Sequence, residues 1–365
     1  MTDNKDKATI YAVAKNADVS VATVSRVFNH TGLVKEDTVR RVVDAAKALN
    51  YKIDIVDKLP SQTKKRSPRE HELLILNVPS LNNPFYNEII KGAKSAAELH
   101  QYDMLINQGH IRENNITGYI KMLNRVNAKG IIMLNHLSSL VLKTLADAIP
   151  TVQCCEYEED ADISSVSIDD LAAAKMVMEH LLSAGRKKIA FINGPPEYKY
   201  ARHRSQGYYE SMENAGIRVN PNWVLQLSDI SADMAFSAVA QMLSQPEIPD
   251  AFFTVSDVFA AAVVRAARYN QYRVPEDIIV IGFDNVDIST VTTPSLTTVN
   301  QPKFQLGFIA CEMLMEKLAN PQAQAQHMLL HSELIVREST LLPPRGTERV
   351  SVRVTELRKE RGLTV

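Results

Sequence analysis

Seven short apolar runs between residues 73 and 283 constrain the fold of this 365-residue chain more than any other feature of its sequence. Helix-like amphipathic stretches separate most of the runs, which cover residues 73–78, 104–107, 131–134, 151–155, 189–192, 251–255 and 278–283. Apolar runs that alternate with helical segments are typical of βαβ units and predict parallel sheets. Ligands on such sheets bind beyond the carboxyl ends of the strands, so we expect a binding site there.

The N-terminal segment follows a helical pattern instead. Thr9 can cap a first helix, on which Ile10, Val13, Ala14 and Ala17 form one apolar face. Ser20 can cap a second helix over residues 21–29, and a third helix is predicted around residues 38–49. Three short helices of this kind predict a helix-turn-helix unit, although their periodicity also fits a small bundle without a nucleic-acid role.

The predicted second helix has two unlike faces. Val24, Val27 and Phe28 share the face that would pack inward. The opposite face is small and polar and consists of Val21, Ala22, Ser25, Arg26 and Asn29. Such a face can approach base edges in the major groove without exposing a large apolar surface.

Residues 9–29, with the sequence TIYAVAKNADVSVATVSRVFN, closely resemble the headpiece signature of the LacI/GalR family of bacterial transcription regulators. The resemblance continues from about Thr9 to about Thr340. It implies an N-terminal all-α helix-turn-helix headpiece, followed by an α/β sensor with two lobes and parallel sheets, like a periplasmic binding protein.

The resemblance also implies two classes of DNA contact. Val21 and Ala22 would read bases, and Arg26 would contact a guanine through its guanidinium fork. The side chains expected on phosphates or on the groove wall are those of Thr9, Tyr11, Ser20, Ser25 and Asn29. Two positions depart from the family pattern: Ala12 replaces a usual Asp, and Asp18 stands where Gly is frequent, a mild change because Asp tolerates a left-handed turn.

The segment after the headpiece departs further from the family. Family members usually carry a hinge helix whose Leu wedges into the minor groove and kinks the duplex. Here Ile53, Asp54 and Asp57 replace the usual residues, and Pro60 occupies the Leu position with Leu59 one residue early. Because a proline ends a helix at or before the preceding residue, a wedge by Leu59 stays open. Residues 62–69 are typical of a basic, flexible connector.

Charge separates the same two parts of the chain. Residues 1–69 contain 14 Lys and Arg against 8 Asp and Glu, a net charge of +6, and the remainder has 27 against 34, a net charge of −7. A basic N-terminal segment suits phosphate contacts, while an acidic body stays off the DNA. A solvated basic arm would give the same counts.

Polar side chains follow most of the apolar runs. They include Asn82 to Tyr86, Asn135, Glu156, residues 198–204, Ser256 and Asp284. Carboxylates and an Arg that hold hydroxyl groups, with aromatic faces beside them, predict a neutral, polyhydroxylated ligand. Asp257 fits helix capping as well as ligand contact.

The body resembles periplasmic sugar-binding proteins as well as the sensor half of the repressor family. The resemblance implies that Arg204 clamps the ligand and that Asp284 accepts its hydroxyl groups. Ile230 stands where some sugar-binding members have a ring-stacking aromatic, a role that Tyr198 or Tyr200 could take. Gln301 falls at a strand where the family chain returns between lobes. The full expected effector set is Phe85, Tyr86, Asn135, Glu156, Tyr198, Arg204, Ser256, Asp284 and Gln301.

Several protein classes lack support in the sequence. We find no dinucleotide-binding glycine motif, phosphate loop, zinc spacing or nucleophile elbow, and we expect no cofactor and no metal. The N-terminus is polar and lacks the apolar stretch of a signal peptide, and no apolar run is long enough to span a bilayer. Three cysteines, with Cys154 and Cys155 adjacent, make no disulfide framework and predict a reduced, cytoplasmic protein.

These observations predict a homodimeric repressor that binds a near-palindromic operator and is switched by a small ligand, a sugar before a nucleoside. The expected domains are a headpiece with a degenerate hinge (1–59), a linker (60–71), a two-lobed effector-binding and dimerisation domain (72–340) and a loosely ordered tail (341–365). Two alternatives stay open. One is a cytoplasmic carbohydrate-binding protein without a regulatory role. The other is an α/β sugar-acting enzyme with Glu156 and Asp169 or Asp284 as paired carboxylates.

Overall fold

The computed structural model describes residues 10–21, 23–24, 36–49, 72–158 and 161–341. The chain forms two compact units, Met1–Arg69 and Glu70–Val365. The predicted hinge and linker (51–71) and the tail from residue 342 onward lie outside the described residues.

Two helices of the first unit are described from end to end, α1 (Ile10–Ala17) and α2 (Glu36–Ala48). Residues 21, 23 and 24 between them are helical, and the Ser20 hydroxyl accepts the Thr23 N–H at 3.1 Å, as expected of a helix cap. Asp18 adopts φ 53°, the left-handed turn predicted for it. The core of this unit consists of Val13, Ala14, Ala17, Val24, Val42, Ala45 and Ala46.

The second unit begins with a parallel α/β lobe. Its elements are β1 (Glu72–Val78), α3 (Phe85–Leu99), β2 (Tyr102–Gln108), α4 (Ile116–Arg125), β3 (Ala128–Met133), α5 (Ser139–Ala148), β4 (Thr151–Cys154) and β5 (Ser165–Ile168). All strand pairs in this sheet are parallel, and the neighbouring strands align in the order β5-β4-β3-β1-β2.

A second lobe follows with the same alternation. Its elements are α6 (Asp170–Ser183), β6 (Ile189–Asn193), α7 (Lys199–Asn214), a 3₁₀ turn (Pro221–Trp223), β7 (Val224–Gln226), α8 (Ala232–Leu243), β8 (Ala251–Thr254), α9 (Asp257–Tyr269), β9 (Ile279–Asp284), α10 (Ile288–Val291) and β10 (Thr297–Asn300). The sheet order is β10-β9-β8-β6-β7.

The chain then returns to the first lobe and comes back again. Helix α11 (Lys303–Ala319) packs on α3, β11 (His327–Leu330) extends the first sheet beside β5, and β12 (Glu333–Ile335) runs antiparallel to β10 in the second sheet. Three segments therefore connect the lobes: residues 168–170, 300–303 and 330–333.

All seven apolar runs are strands, with ends that differ from the predictions by three residues at most. Strands β5, β7, β11 and β12 carry no such run and were not predicted, and β10, which also lacks one, is the strand that the resemblance placed next to Gln301. Among the helices that the structure describes, none combines the length and apolar character needed to cross a bilayer.

Candidate functional site

A cavity of about 730 Å³ opens at the carboxyl ends of the strands, between the two lobes of the second unit. Eight of the nine residues expected to contact an effector line it: Phe85, Tyr86, Glu156, Tyr198, Arg204, Ser256, Asp284 and Gln301. The elements that carry them belong to both sheets, so a molecule in the cavity would touch both lobes.

Asn135, the ninth, is not among the residues that line the cavity. It is buried beneath the strand ends, where its Oδ1 accepts from Asn77 and its Nδ2 donates to the carbonyl of Gly109 at 2.9 Å. Asn77 also contacts Asn107 and Tyr119, so the network ties together β1, β2 and α4. The expected ligand contact of Asn135 is therefore corrected to an internal one. Two residues that follow β2, His110 and Arg112, line the cavity although the sequence analysis did not select them.

A buried ion network lies where the chain first passes between the lobes. Asp170 accepts from Lys199 Nζ at 2.6 Å and from Nε and Nη2 of Arg204 at 2.9 and 2.7 Å. Burial alone would raise the pKa of Asp170, but the two cations hold that pKa below its usual range. Arg204 also donates to the carbonyl of Val255 at 2.8 Å and stacks on Phe283. The residue expected to clamp a ligand is thus also a structural ion-pair partner.

Glu156 connects the lobes through one of its two oxygens. Its Oε2 accepts the backbone N–H of Lys199, the first residue of α7, at 2.8 Å. Its Oε1 is buried and has no hydrogen-bond partner within the described residues. Burial raises the pKa of Glu156 to about 7, against the opposing effect of the nearby Lys199 ammonium. An unpaired acceptor at a cavity wall is costly unless a bound molecule satisfies it.

Asp284 occupies the opposite side of the site, at the end of β9. Gln301 Nε2 donates to its Oδ1 at 2.7 Å, and the ammonium of Lys303 contacts its carbonyl oxygen. Burial raises the pKa of Asp284 to about 8, although Arg204 nearby lowers it. Asp284 has φ 107°, a conformation that is strained for any residue with a Cβ, and such strain clusters at functional sites.

The Ser256–Asp257 pair divides the roles that the sequence left open. Ser256 lines the cavity and is the residue that caps α9, since its Oγ accepts the Val258 N–H at 3.2 Å. Asp257 is outside the lining; it accepts from Thr298 Oγ1 at 2.6 Å and from the Val286 N–H at 2.9 Å. Asp257 therefore joins α9 to the strand ends.

Aromatic side chains form part of the cavity wall. Phe85 and Tyr86 meet edge-on in the first lobe, with ring centroids 5.3 Å apart, and Tyr198 and Tyr200 lie 5.6 Å apart in the second. Burial raises the pKa of Tyr86 well above its usual range, so its phenol is neutral at physiological pH. Ile230 lines the cavity near these rings, and the wall has ring faces despite the aliphatic residue at that position.

The ion pair between Asp170 and Lys199 was not predicted from the sequence. Asp170 was not selected because β5, the strand directly before it, has no apolar run, and Lys199 was not singled out within the polar stretch 198–204. The carboxylate pair of the enzyme alternative is not supported at Asp169, which is exposed and caps α6 by accepting the Ala172 N–H at 2.9 Å.

Within the described part of the chain, no group of three or more His, Cys, Asp or Glu could hold a metal ion.

Few of the DNA-contact residues fall inside the described ranges. Ser20 caps its helix, and Val21 is half-buried and packs against the core of the first unit. Tyr11 belongs to α1. The remaining candidates lie outside the described residues or at a position that is not described: Thr9, Ala22, Ser25, Arg26, Asn29 and Leu59.

Comparison with known proteins gives two domain matches. Residues 9–54 match the family "Bacterial regulatory proteins, lacI family", and residues 178–340 match "Periplasmic binding protein-like domain". The HTH-type transcriptional repressor CytR of Escherichia coli K12 is 31% identical over 340 residues, covering 92% of this chain and 97% of CytR. The Ribose operon repressor of the same strain is 30% identical over 337 residues, covering 91% and 99%.

Solved structures that are at least 25% identical to this chain share its fold. The complex of the transcriptional regulator CelR with cellobiose is 26% identical, covers 91% of this chain and 99% of its own, and has a TM-score of 0.68. The Lac repressor dimer bound to operator and the anti-inducer ONPF is 25% identical, covers 92% and 100%, and has a TM-score of 0.67.

Proposed function

This chain belongs to the LacI family of bacterial regulatory proteins, and from that premise we propose that its cavity binds the small molecule that controls its attachment to DNA. It is a helix-turn-helix transcription repressor and not an enzyme. The finer proposal is a cytoplasmic homodimer on a near-palindromic operator, with a sugar as the effector and a nucleoside as the second choice.

The observation that supports this proposal is that buried polar groups from both lobes face one cavity. Glu156 precedes β5 in the first lobe, while Arg204 and Asp284 belong to the second. A ligand that contacts both lobes binds the closed arrangement more tightly than an open one. That differential affinity is all that a ligand needs in order to shift a conformational equilibrium.

The proposed division of labour follows the two units. On the headpiece, Val21, Ala22 and Arg26 read bases, while Thr9, Tyr11, Ser20, Ser25 and Asn29 set the register on the backbone. Leu59 contacts the minor groove if the hinge forms. Phe85, Tyr86, Glu156, Tyr198, Arg204, Ser256, Asp284 and Gln301 contact the effector.

An operator selection tests the function. The full-length protein is used to select sites from random duplex DNA, and fluorescence anisotropy then measures affinity for the selected site. We expect a near-palindrome, an Arg26→Ala loss of about 1–3 kcal/mol with relaxed preference at one base pair, and affinity that changes when an effector is added. If a variant lacking residues 1–71 bound the site as tightly as the full chain, the proposal would be wrong.

A further inference from the structure

The side chains that line the effector cavity carry an excess of acid. Five carboxylate residues face it, against two arginines and one histidine: Glu156, Asp170, Glu197, Asp229 and Asp284, with Arg112, Arg204 and His110. Burial raises the pKa of Glu156 to about 7 and that of Asp284 to about 8, so both are ionised above about pH 8. There the like charges in a partly desolvated site repel an anion, and this wall disfavours an anionic ligand.

The buried cations near the cavity are already paired. Arg204 donates to Asp170 and to the carbonyl of Val255. Lys199 Nζ donates to Ser167 Oγ at 2.8 Å and to Asp170 at 2.6 Å. Arg112 is exposed at the cavity edge, and so are Glu197 and Asp229, so water weakens the effect of all three charges on an anion. The buried charges that remain are the carboxyls of Glu156, Asp170 and Asp284, against Arg204 and Lys199. Within the described residues, the site therefore lacks the converging set of available cations that a phosphate group requires.

Glu156 supplies the complementary half of the argument. When Glu156 is ionised, its unpaired Oε1 needs a hydrogen-bond donor, and a carboxylate oxygen cannot accept from a phosphate or carboxylate oxygen that carries no proton. Its Oε2 meanwhile holds the first residue of α7 in the other lobe. A hydroxyl or amino group on the ligand would satisfy Oε1 while leaving that bond between the lobes intact.

On the basis of the proposed function, we propose that the effector is an uncharged, hydroxyl-bearing ring, and that Glu156 is the residue that excludes its phosphorylated and carboxylated relatives. The ring faces of Phe85, Tyr86, Tyr198 and Tyr200 suit the apolar side of such a ligand. Asp284 accepts from a second hydroxyl group on the far side of the cavity.

Matched ligand pairs test the charge preference. Isothermal titration of the full-length protein at pH 8.5, where Glu156 and Asp284 are ionised, compares D-ribose with D-ribose 5-phosphate, D-galactose with D-galactose 1-phosphate, and adenosine with adenosine 5′-monophosphate. We expect the uncharged member of a pair to bind, and its phosphate to bind with an affinity at least about tenfold lower. A phosphate that binds as tightly as its uncharged partner, or more tightly, would overturn the inference.

Two variants test the role of Glu156 in that preference. Glu156→Gln keeps the size of the side chain but removes its charge, and we expect the preference for the uncharged member to shrink by about fivefold or more. Glu158→Gln is the control, because Glu158 contacts Ser139 and His136 and does not line the cavity. A preference that is equal in Glu156→Gln and in the wild type would remove Glu156 from the mechanism, since a merely structural role would change affinity for both members alike.

The inference and the proposed function fail in different ways. Tight phosphate binding counts against the uncharged ligand class alone. An uncharged ligand that binds the cavity but leaves operator affinity unchanged counts against the proposed function alone.

Discussion

At the scale of single residues, Asp170 determines whether two buried cations are neutralised. Lys199 and Arg204 both donate to it, and all three side chains are at most 5% exposed. Replacing Asp170 with Asn would leave two buried positive charges with no carboxylate between them. Because removing one partner of a buried ion pair costs about 3–5 kcal/mol, we expect Asp170→Asn to lower the free energy of unfolding by that amount, as measured by urea denaturation.

The neighbouring residue provides a matched control for this substitution. Asp169 is exposed and caps α6, and Asn is an equally good cap, so Asp169→Asn should change stability by only a few tenths of a kcal/mol. Equal effects of the two substitutions would show that the ion network does not stabilise the fold.

The two raised carboxyl pKa values predict how ligand binding depends on pH. Burial raises the pKa of Glu156 to about 7 and that of Asp284 to about 8, and a ligand hydroxyl that donates to either carboxylate favours its ionised form. The groups that face them are Lys199, Asp170 and Arg202 around Glu156, and Arg204, Asp257, Lys303 and Gln301 around Asp284. Binding therefore lowers both pKa values and releases protons, so affinity should rise with pH from 6 to 8.5 and then level off.

The stability of the ligand-free protein should show the opposite trend. A carboxyl with a raised pKa favours the folded state while it is protonated, and this contribution is lost as pH rises through about 7 to 8.

Titration calorimetry in buffers of different ionisation enthalpy counts the protons that ligand binding releases. Affinity that is flat across this range, with no proton release, would contradict the assignment of these carboxylates to the ligand.

At the scale of elements, the strands divide into those that sequence reasoning can find and those that it cannot. Six of the seven predicted strands are buried along most of their length because helices cover both faces of their sheets. The seventh, β2, lies at a sheet edge and was found from its apolar centre, Met104–Ile106. Strand β5 is equally buried, but two of its four residues are serines, and β7 and β12 have three residues each, too few to show a pattern. Strand β11 lies at a sheet edge and is mostly exposed, so no burial pattern marks it.

The site, like the strands, could be predicted from the sequence only in part. Polar residues after predicted strands were found, and eight of nine line the cavity. Position after a strand does not tell whether a side chain points into the cavity or back under the sheet, which is why Asn135 was misplaced. Lys199 looked like a surface lysine among the charged residues of α7, and only tertiary contacts reveal that it is buried.

The pairing of α3 with α11 gives a prediction at this scale. Gly307 lies where an added Cβ would overlap the backbone carbonyl of Ile89, and one added to Gly92 would overlap that of Phe304. The two helices therefore approach at their backbones, and Gly307→Ala should destabilise the protein by about 1–3 kcal/mol through overpacking. Gly118→Ala is the control: nothing lies within 4 Å of its added Cβ, so it should be neutral or stabilising by up to about 1 kcal/mol. Chemical denaturation of the two variants distinguishes close packing from a general effect of alanine.

At the scale of the whole molecule, side chains that face the cavity lie in or beside the connections between the lobes. Asp170 is the last residue of the first connection, and Gln301 lies within the second. Lys199 hydrogen-bonds to both Asp170 and Glu156 beside the first connection. A ligand held by Glu156 and Asp284 thus acts on the segments about which the lobes can move. This arrangement links the chemistry of the cavity to a change in the shape of the sensor, as closure around a ligand requires.

The separation of charge between the two units yields the last prediction. The boundary at Arg69 divides a segment of net charge +6 from a body of net charge −7. If a dimer neutralises about six phosphates, the logarithm of operator affinity should fall with the logarithm of salt concentration with a slope of about −5. Affinity for an uncharged effector should be nearly independent of salt, because its binding releases no condensed counterions. Replacing Lys64, Lys65 and Arg66 with Gln should make the operator slope shallower if these residues contact phosphates. An unchanged slope would identify them as a solvated arm and leave the DNA contacts to the helical headpiece.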